Sequence, residues 1–255
     1  MEQKNQTADF LYTHKGRCPA CDQIVTFTAD KPYFRNSLQC VSCHSIPRQR
    51  ALMYVLSTNF PKWRHLRIHE SSPGRDIVSK RLSTECSAYV ATQFDGSAEL
   101  GSIRSAPGVP CKSYRNENLE EQTFGDGMFD LVITQDVFEH LLRPDKAIRE
   151  IARTLVSGGA TLMTVPIVRK HQPSRRRAAQ RDGEIEHILP PQYHGNPIRR
   201  DGSLVTVDWG YDIAAYLQQH SGLSFLMVQI DNIDLGIRAD LIEVLIGFKR
   251  KAPEI

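Results

Sequence analysis

The chain has 255 residues, of which 40% are hydrophobic and 24% charged, and its formal net charge is +3. This length supports one ordinary hydrophobic core with a small appendage, and so small a net charge does not by itself indicate a nucleic-acid-binding protein. No apolar run reaches the length of a membrane span and residues 1–7 are polar, so we expect a cytoplasmic protein that does not contact a membrane.

Four of the six cysteines form two C-x-x-C pairs near the N-terminus. Cys18 and Cys21 are separated by eighteen residues from Cys40 and Cys43. This spacing is typical of two zinc knuckles that close one tetrahedral site, and it predicts a structural zinc ion. A disulfide would suit a secreted chain and a redox dithiol needs only one pair, so both interpretations are weaker. We predict a zinc ribbon with the start of a linker helix over residues 1–52, and a second domain over residues 53–255.

Residues 129–165 show the pattern of one βαβ unit of a parallel sheet. A buried strand at residues 129–133 ends in the polar residues Thr134, Gln135 and Asp136. A helix should then begin at Pro144, end at Gly158 and Gly159, and lead into a second buried strand. Polar groups at the carboxyl end of a central strand predict a ligand site there.

The order of these pieces resembles the class I S-adenosylmethionine-dependent methyltransferases, in particular their type 11 group. The similarity lies in the sequence FDLVITQDVFEH at residues 129–140 and in the following helix, which ends in L-x-x-GG, and it extends over residues 64–168. It implies a Rossmann-like α/β fold with a seven-stranded, mostly parallel sheet and helices on both faces. A helix at 212–219 and strands at 223–230 and 241–249 would complete this sheet.

The resemblance also implies S-adenosylmethionine as the cofactor, bound at the tips of the first and fourth strands. The family's glycine-rich loop corresponds to residues 71–74, where one glycine remains, and its adenine-binding segment corresponds to residues 116–120. No carboxylate ends the second strand, which leaves Gln93 or Asp95 for the ribose. Glu70 either serves the methionine end or caps the next helix. The residues implied to contact the cofactor are Glu70, Ser71, Ser72, Gly74, Gln93, Asn118, Leu119 and Gln135.

The chain that follows the fifth strand is expected to bind the acceptor. Its basic run includes Arg169, Lys170 and residues 175–177, and it forms either a solvated loop or a clamp for a phosphate or carboxylate. The proline-rich loop at residues 186–197 is similar to the Y-H-G-x-P insertion of bacterial methyltransferases found beside sugar and polysaccharide pathway genes.

A general base helps to methylate an alcohol of high pKa, and three histidines are candidates. We predict His194 as the base, with His187 second, because their loop should fold over the methyl group. His140 follows the cofactor strand, where the family resemblance implies packing and hydrogen bonding instead. Cys86 and Cys111 are expected to be small buried side chains without chemistry.

Three functions remain open. The leading one is O-methylation of a sugar or another small hydroxylated metabolite, either free or as an anionic or phosphate-linked form. The second is methylation of ribosomal or transfer RNA, because a zinc ribbon ahead of this fold also resembles certain guanine N-methyltransferases of ribosomal RNA; the absence of an N-P-P-Y motif argues against it. The third is a non-catalytic scaffold that has lost the cofactor site.

Overall fold

The computed structural model describes residues 12–105, 113–196 and 201–251, so Cys111 and its expected burial lie outside the described residues. The described chain begins with a small antiparallel ribbon in which the first cysteine pair lies at the turn between two strands and the second pair lies at the end of the third strand. Its elements are β1 (Tyr12–Cys18), β2 (Gln23–Ala29), helix α1 (Phe34–Ser37) and β3 (Gln39–Cys40).

Helix α2 (Pro47–Asn59) joins this ribbon to the rest of the molecule. Proline suits its first position because the missing N–H would have no intrahelical partner, and the side chain of Gln49 accepts a hydrogen bond from the backbone N–H of Ile46. The boundary expected after residue 52 falls inside this helix, so no linker separates the two parts; the division into domains stays a prediction.

The central part of the chain alternates strands and helices. Its elements are β4 (Arg67–Ser71), α3 (Ile77–Glu85), β5 (Ala88–Gln93), β6 (Ile103–Arg104), β7 (Tyr114–Asn116), β8 (Phe129–Gln135), α4 (Pro144–Thr154) and β9 (Leu155–Thr164). Short 3₁₀ helices lie at Trp63–His65, Phe138–His140 and, farther along, Ile233–Leu235.

The segment after β9 folds into short antiparallel pairs rather than an irregular loop. Strand β10 (Arg175–Arg176) pairs with β15 (Val207–Asp208), β11 (Ala178–Arg181) with β12 (Glu184–His187), and β13 (Tyr193–His194) with β14 (Ser203–Leu204). We call residues 169–209 the insertion. The described chain ends with α5 (Ile213–Ser221), β16 (Ser224–Val228) and β17 (Val244–Phe248).

The main sheet has the strand order β16-β17-β9-β8-β4-β5-β7-β6. The five strands from β9 to β7 are parallel, and the strands at both edges are antiparallel. This confirms the predicted Rossmann-like class. The sheet has eight strands instead of seven because the two-residue strand β6 adds to one edge.

The sequence predicted that the helix after β8 ends at Gly158 and Gly159, and this prediction is wrong. Helix α4 ends at Thr154, and β9 begins at the next residue. Gly158, with φ +80°, instead lies within β9, where the pairing with β8 shifts between Phe129 and Leu131. Gly158 therefore accommodates an irregularity in the strand. Residues other than glycine rarely adopt its positive φ.

Apolar layers cover both faces of the sheet. Alternate residues of β8 point to opposite faces: Leu131 and Ile133 pack with α2, α3 and the ribbon, and Val132 packs with α4 and α5. The first of these layers also contains Phe27 of β2, so the ribbon and the sheet share one hydrophobic core. Among the described residues, no helix is both long enough and apolar enough to cross a membrane.

Candidate functional site

The carboxyl ends of β4 and β8 lie side by side, with Ser71 paired to Thr134. Glu70, one residue before this end, is fully buried and accepts hydrogen bonds from Ser79 Oγ at 2.6 Å, Tyr89 OH at 2.7 Å and Gln135 Nε2 at 3.0 Å. Burial raises the pKa of its carboxyl to about 7. Glu70 thus ties four elements of the site together.

The loop after β4 is held from β5. The backbone N–H of Ser72 donates to the carbonyl of Thr92 at 2.7 Å, and the buried side chain of Gln93 donates to the carbonyl of Pro73 at 3.0 Å. Ser72 has φ +57°, a left-handed conformation that glycine adopts more readily. Ser72 stands where the resemblance implied a glycine. The loop therefore makes a tight turn, but it carries a side chain where the usual motif has none.

The residue that caps α3 is Asp76 and not Glu70. One oxygen of the Asp76 carboxylate accepts hydrogen bonds from the backbone N–H groups of Val78 and Ser79. A side chain added at Gly74 would place its Cβ 2.8 Å from the other oxygen of this carboxylate. Gly74 therefore allows the loop to pass close to the helix start.

The segment implied for adenine lies at the same edge of the sheet. Asn116 pairs in parallel with Gln93, and Asn118 and Leu119 follow directly after β7. The side chain of Asn118 accepts from the backbone N–H of Glu120 at 3.0 Å, and Leu119 is buried. The structure therefore brings the sequence-predicted cofactor residues together along the carboxyl ends of β4, β5, β7 and β8.

Two arginines that the sequence did not single out reach this edge from the N-terminal part. Arg35 Nη2, on α1 of the ribbon, lies 2.8 Å from Asp136 Oδ2, and Arg48 Nε, on α2, lies 3.1 Å from the same oxygen. Thr164 Oγ1 donates to Asp136 Oδ1 at 2.9 Å. Although burial opposes ionisation, the two guanidinium groups hold the pKa of Asp136 below its usual value.

Arg48 also reaches Gln135 Oε1 at 3.5 Å. Two guanidinium groups therefore share the single carboxylate of Asp136 beside the end of β8, which leaves positive charge at the predicted cofactor site. No local sequence signal could reveal this arrangement, because Arg35 and Asp136 are about a hundred residues apart in the chain.

A cavity of about 460 Å³ opens between the end of β9 and the insertion. Its lining includes four cationic side chains and two acidic ones: Arg169, Lys170, Arg175, Arg177, Glu139 and Asp208. Asp208 Oδ2 lies 3.1 Å from Arg175 Nη2 and 2.9 Å from Arg177 Nη1. The predicted basic run therefore divides: Arg175 and Arg177 face the cavity, whereas Arg176 donates to the carbonyl of Leu142.

One end of this cavity is formed by Glu139 and His194, with His140 beside them. Glu139 is 2% exposed, and its Oε1 lies 3.6 Å from His140 Nε2 and 3.9 Å from His194 Nδ1. Burial, reinforced by Asp136, raises the pKa of Glu139 well above its usual value, and burial lowers the pKa values of His140 and His194. His187 is exposed on β12 and is not among the residues that line the cavity.

The insertion is attached to the turn that carries Glu139. Thr206 donates through its backbone N–H to the carbonyl of Glu139 at 2.7 Å, and Trp209 Nε1 donates to the carbonyl of Phe138 at 3.2 Å. His140 Nδ1 lies 2.9 Å from the carbonyl of Leu204 and must donate to it, since a carbonyl only accepts. The end of β8 and the insertion are thereby fixed relative to each other.

The four cysteine sulfurs of the ribbon have the spacing of a tetrahedral metal site. Cys18 Sγ lies 3.7 Å from Cys43 Sγ, Cys21 Sγ lies 3.9 Å from Cys40 Sγ, and all four lie within 4.8 Å of one another. Zinc–sulfur bonds of about 2.3 Å in a tetrahedron place the sulfurs about 3.8 Å apart. The residues therefore fit a zinc ion.

A buried arginine supports this ribbon from α2. Arg50 is 0% exposed and donates to the carbonyls of Ser45, Leu38 and Gly236, with distances of 2.7 Å to both Leu38 and Gly236. Its guanidinium also lies 4.7 Å from the ring centre of Phe27. Burial lowers the pKa of Arg50 to about 10, while the nearby cysteine sulfurs favour its charged form. Arg50 thus links the ribbon, α2 and the loop before β17.

Comparison with known proteins identifies the central part of the chain. Residues 70–163 match the family model described as a methyltransferase domain. No curated protein matches the chain. Among solved structures, an S-adenosylmethionine-dependent methyltransferase from Mesorhizobium loti is 14% identical with a TM-score of 0.49, and the match covers 78% of this chain and 98% of that one.

Two further structures are similar at the same level. The YcgJ protein of Bacillus subtilis is 13% identical over 79% of this chain and 99% of its own, with a TM-score of 0.46. The 1,6-didemethyltoxoflavin-N1-methyltransferase of Burkholderia thailandensis is 13% identical over 80% of this chain and 79% of its own, with a TM-score of 0.46. The family match lies on the strands and loops described above. The chain contains a methyltransferase domain over residues 70–163.

Proposed function

We propose that this methyltransferase methylates a hydroxyl group of a small anionic acceptor, a sugar or another hydroxylated metabolite that carries a phosphate or a carboxylate. The observation that supports this proposal is the composition of the cavity beside the end of β8. One end carries His194 next to Glu139, and the remaining wall carries more cationic than acidic side chains. Guanidinium groups bind phosphates and carboxylates through paired hydrogen bonds, so such a wall favours an anion.

The proposed cofactor, S-adenosylmethionine, would bind at the carboxyl ends of β4, β5, β7 and β8. When bound, it supplies a methyl group that is already bonded to a positively charged sulfur. The residues proposed to hold it are those brought together there: Glu70, Ser71, Ser72, Gly74, Gln93, Asn118, Leu119 and Gln135. Arg48 adds a charge for the carboxylate of the methionine moiety, because two guanidinium groups at this edge share only one protein carboxylate.

His194 is proposed as the general base for the acceptor hydroxyl. Because burial lowers its pKa, its imidazole is neutral near pH 7 and can accept a proton. His194 lies on β13, and the hydrogen bonds of Thr206 and Trp209 hold the insertion against the turn after β8. The insertion would thereby exclude water and keep the acceptor oxygen in line with the methyl group.

Calorimetry and mass spectrometry test the two parts of this proposal separately. S-adenosylmethionine or its demethylated product should bind at micromolar concentration, and small molecules that copurify with the protein would indicate the acceptor class. Labelled methyl transfer is then compared between matched acceptors that differ only in a phosphate or carboxylate. Transfer only to the anionic members supports the proposal. Transfer to RNA or to an amine would overturn it, and failure to bind the cofactor at millimolar concentration would favour the scaffold interpretation.

A further inference from the structure

The carboxylate of Glu139 has an environment that the proposed reaction does not explain. Both of its oxygens are buried, and neither has a hydrogen-bond partner in the described structure. Removing a carboxylate from water without a compensating partner costs several kcal/mol or more, so such groups are found paired or bound to a metal. Neutralisation by a proton would leave the same two oxygens without hydrogen bonds. A ligand that binds Glu139 would remove this cost.

We propose that Glu139, His140 and His194 together bind a divalent metal ion at the inner end of the cavity. Each of the three side chains offers one donor atom, and these atoms all lie within 4.8 Å of one another. For metal bonds of about 2.1 Å, neighbouring ligands are separated by about 3.0 Å and opposite ligands by about 4.2 Å. The distances of 3.6 Å and 3.9 Å from Glu139 Oε1 to the two imidazole nitrogens lie within this range.

The orientation of His140 supports the same assignment. Its Nδ1 donates to the carbonyl of Leu204, so in the neutral ring Nε2 carries the lone pair and faces Glu139. Histidine ligands of metals are commonly oriented in this way, with the second ring nitrogen donating to a carbonyl or carboxylate. On His194, Nδ1 faces Glu139, and the amide nitrogen of Gln192 lies 3.5 Å from Nε2. Metal binding through Nδ1 requires Nε2 to carry the proton, so the Gln192 amide must present its oxygen to Nε2 in the metal-bound state.

The set of donors limits the chemistry of the ion. Two imidazoles and one carboxylate suit Zn²⁺, Mn²⁺ or Fe²⁺, whereas the thiolates of the ribbon select zinc. Three protein ligands leave coordination positions open, and both Glu139 and His194 line the cavity. An oxygen of the acceptor would occupy an open position. That role in the reaction depends on the proposed function, whereas metal binding itself does not. With the metal bound, His194 is a ligand and no longer the general base, so the proton of the acceptor hydroxyl passes to water.

Manganese provides a probe that distinguishes this site from the ribbon, because Mn²⁺ prefers oxygen and nitrogen donors to thiolates. Zinc-loaded protein is titrated with Mn²⁺ and followed by electron paramagnetic resonance, and Zn²⁺ is then added as a competitor. We expect one Mn²⁺ per chain in addition to the ribbon zinc. Glu139→Gln and His194→Asn should each weaken Mn²⁺ binding by more than about 10–100-fold, which is the loss typical of changing a residue that only orients a metal ligand. His65→Asn, an exposed histidine away from the cluster, serves as the matched control.

The outcomes separate the metal site from the proposed function. Binding of neither Mn²⁺ nor Zn²⁺ outside the ribbon would overturn the metal site, as would binding that both variants retain. Methyl transfer that proceeds at the same rate after removal of this metal would refute its role in binding the acceptor while the proposed function stands. Metal binding by a protein that transfers no methyl group to any hydroxyl would support the site and refute the function. Circular dichroism of each variant shows that it has folded.

Discussion

Arg50 is the most direct test of whether the ribbon and the methyltransferase domain form one cooperative unit. Replacing it with methionine preserves much of its length. The change removes the guanidinium that donates to the carbonyl of Leu38 in the ribbon and to the carbonyl of Gly236 in the loop before β17. Hydrogen bonds from a charged donor contribute about 1.5–3 kcal/mol each, and the carbonyls of Ser45, Leu38 and Gly236 lose that donor on substitution. Removing the buried charge also removes its desolvation cost, which offsets part of this loss. We therefore expect the free energy of unfolding to fall by about 3–5 kcal/mol.

Thermal unfolding measures this effect. For a chain of this size, about 1 kcal/mol corresponds to about 2–4 °C in the melting temperature, so Arg50→Met should lower it by roughly 6–20 °C. The matched control is Arg64→Met, because Arg64 also lies over an aromatic ring, that of Trp63, but it is exposed and pairs with Glu85 at the surface. Its loss should cost at most about 1 kcal/mol.

Two results would refute the reasoning. A melting temperature for Arg50→Met within the range of the Arg64→Met control would show that the buried guanidinium contributes little. Two separate unfolding transitions in the wild-type protein, of which only the first responds to Arg50→Met, would show that the ribbon and the sheet do not unfold together.

Three further predictions address the metal, the cofactor and the acceptor. One zinc ion per chain should be found by elemental analysis, and Cys18→Ser should destabilise the protein far more than Cys86→Ser, because only the former opens the proposed metal site; a zinc-free native protein would contradict this. Arg48→Gln should weaken S-adenosylmethionine binding by about 10- to 100-fold in calorimetry but leave the binding of methylthioadenosine, which lacks the carboxylate, nearly unchanged; equal losses would argue against the charge contact. His194→Asn should lower kcat by about a hundredfold. Wild-type kcat/KM should fall as the pH drops through the pKa of His194, which burial lowers from its usual value, because only the neutral imidazole accepts a proton or binds a metal. A larger loss in His187→Asn than in His194→Asn would move the base to the exposed hairpin.

The sequence by itself determined the elements whose signals are local. The apolar run of β8, its polar end and the helix from Pro144 are patterns of a few consecutive residues, and the structure has them where they were predicted. The cysteine spacing likewise predicted a four-sulfur cluster, because short C-x-x-C turns bring their two sulfurs together wherever the chain folds. The end of α4 was misplaced, since Gly158 suits either a helix stop or a strand irregularity, and only the pairing with β8 selects between them.

Only the tertiary structure decided which distant side chains meet. Arg35 of the ribbon contacts Asp136 at the end of β8, and His194 of the insertion approaches Glu139, although 101 residues separate the first pair. Such contacts depend on how α2 and the insertion pack on the sheet, and packing is a property of the whole core rather than of any short segment. For the same reason the sequence could place His187 and His194 in one segment, but it could not show which of them lines the cavity. Among the described residues, His194 lines it and His187 does not.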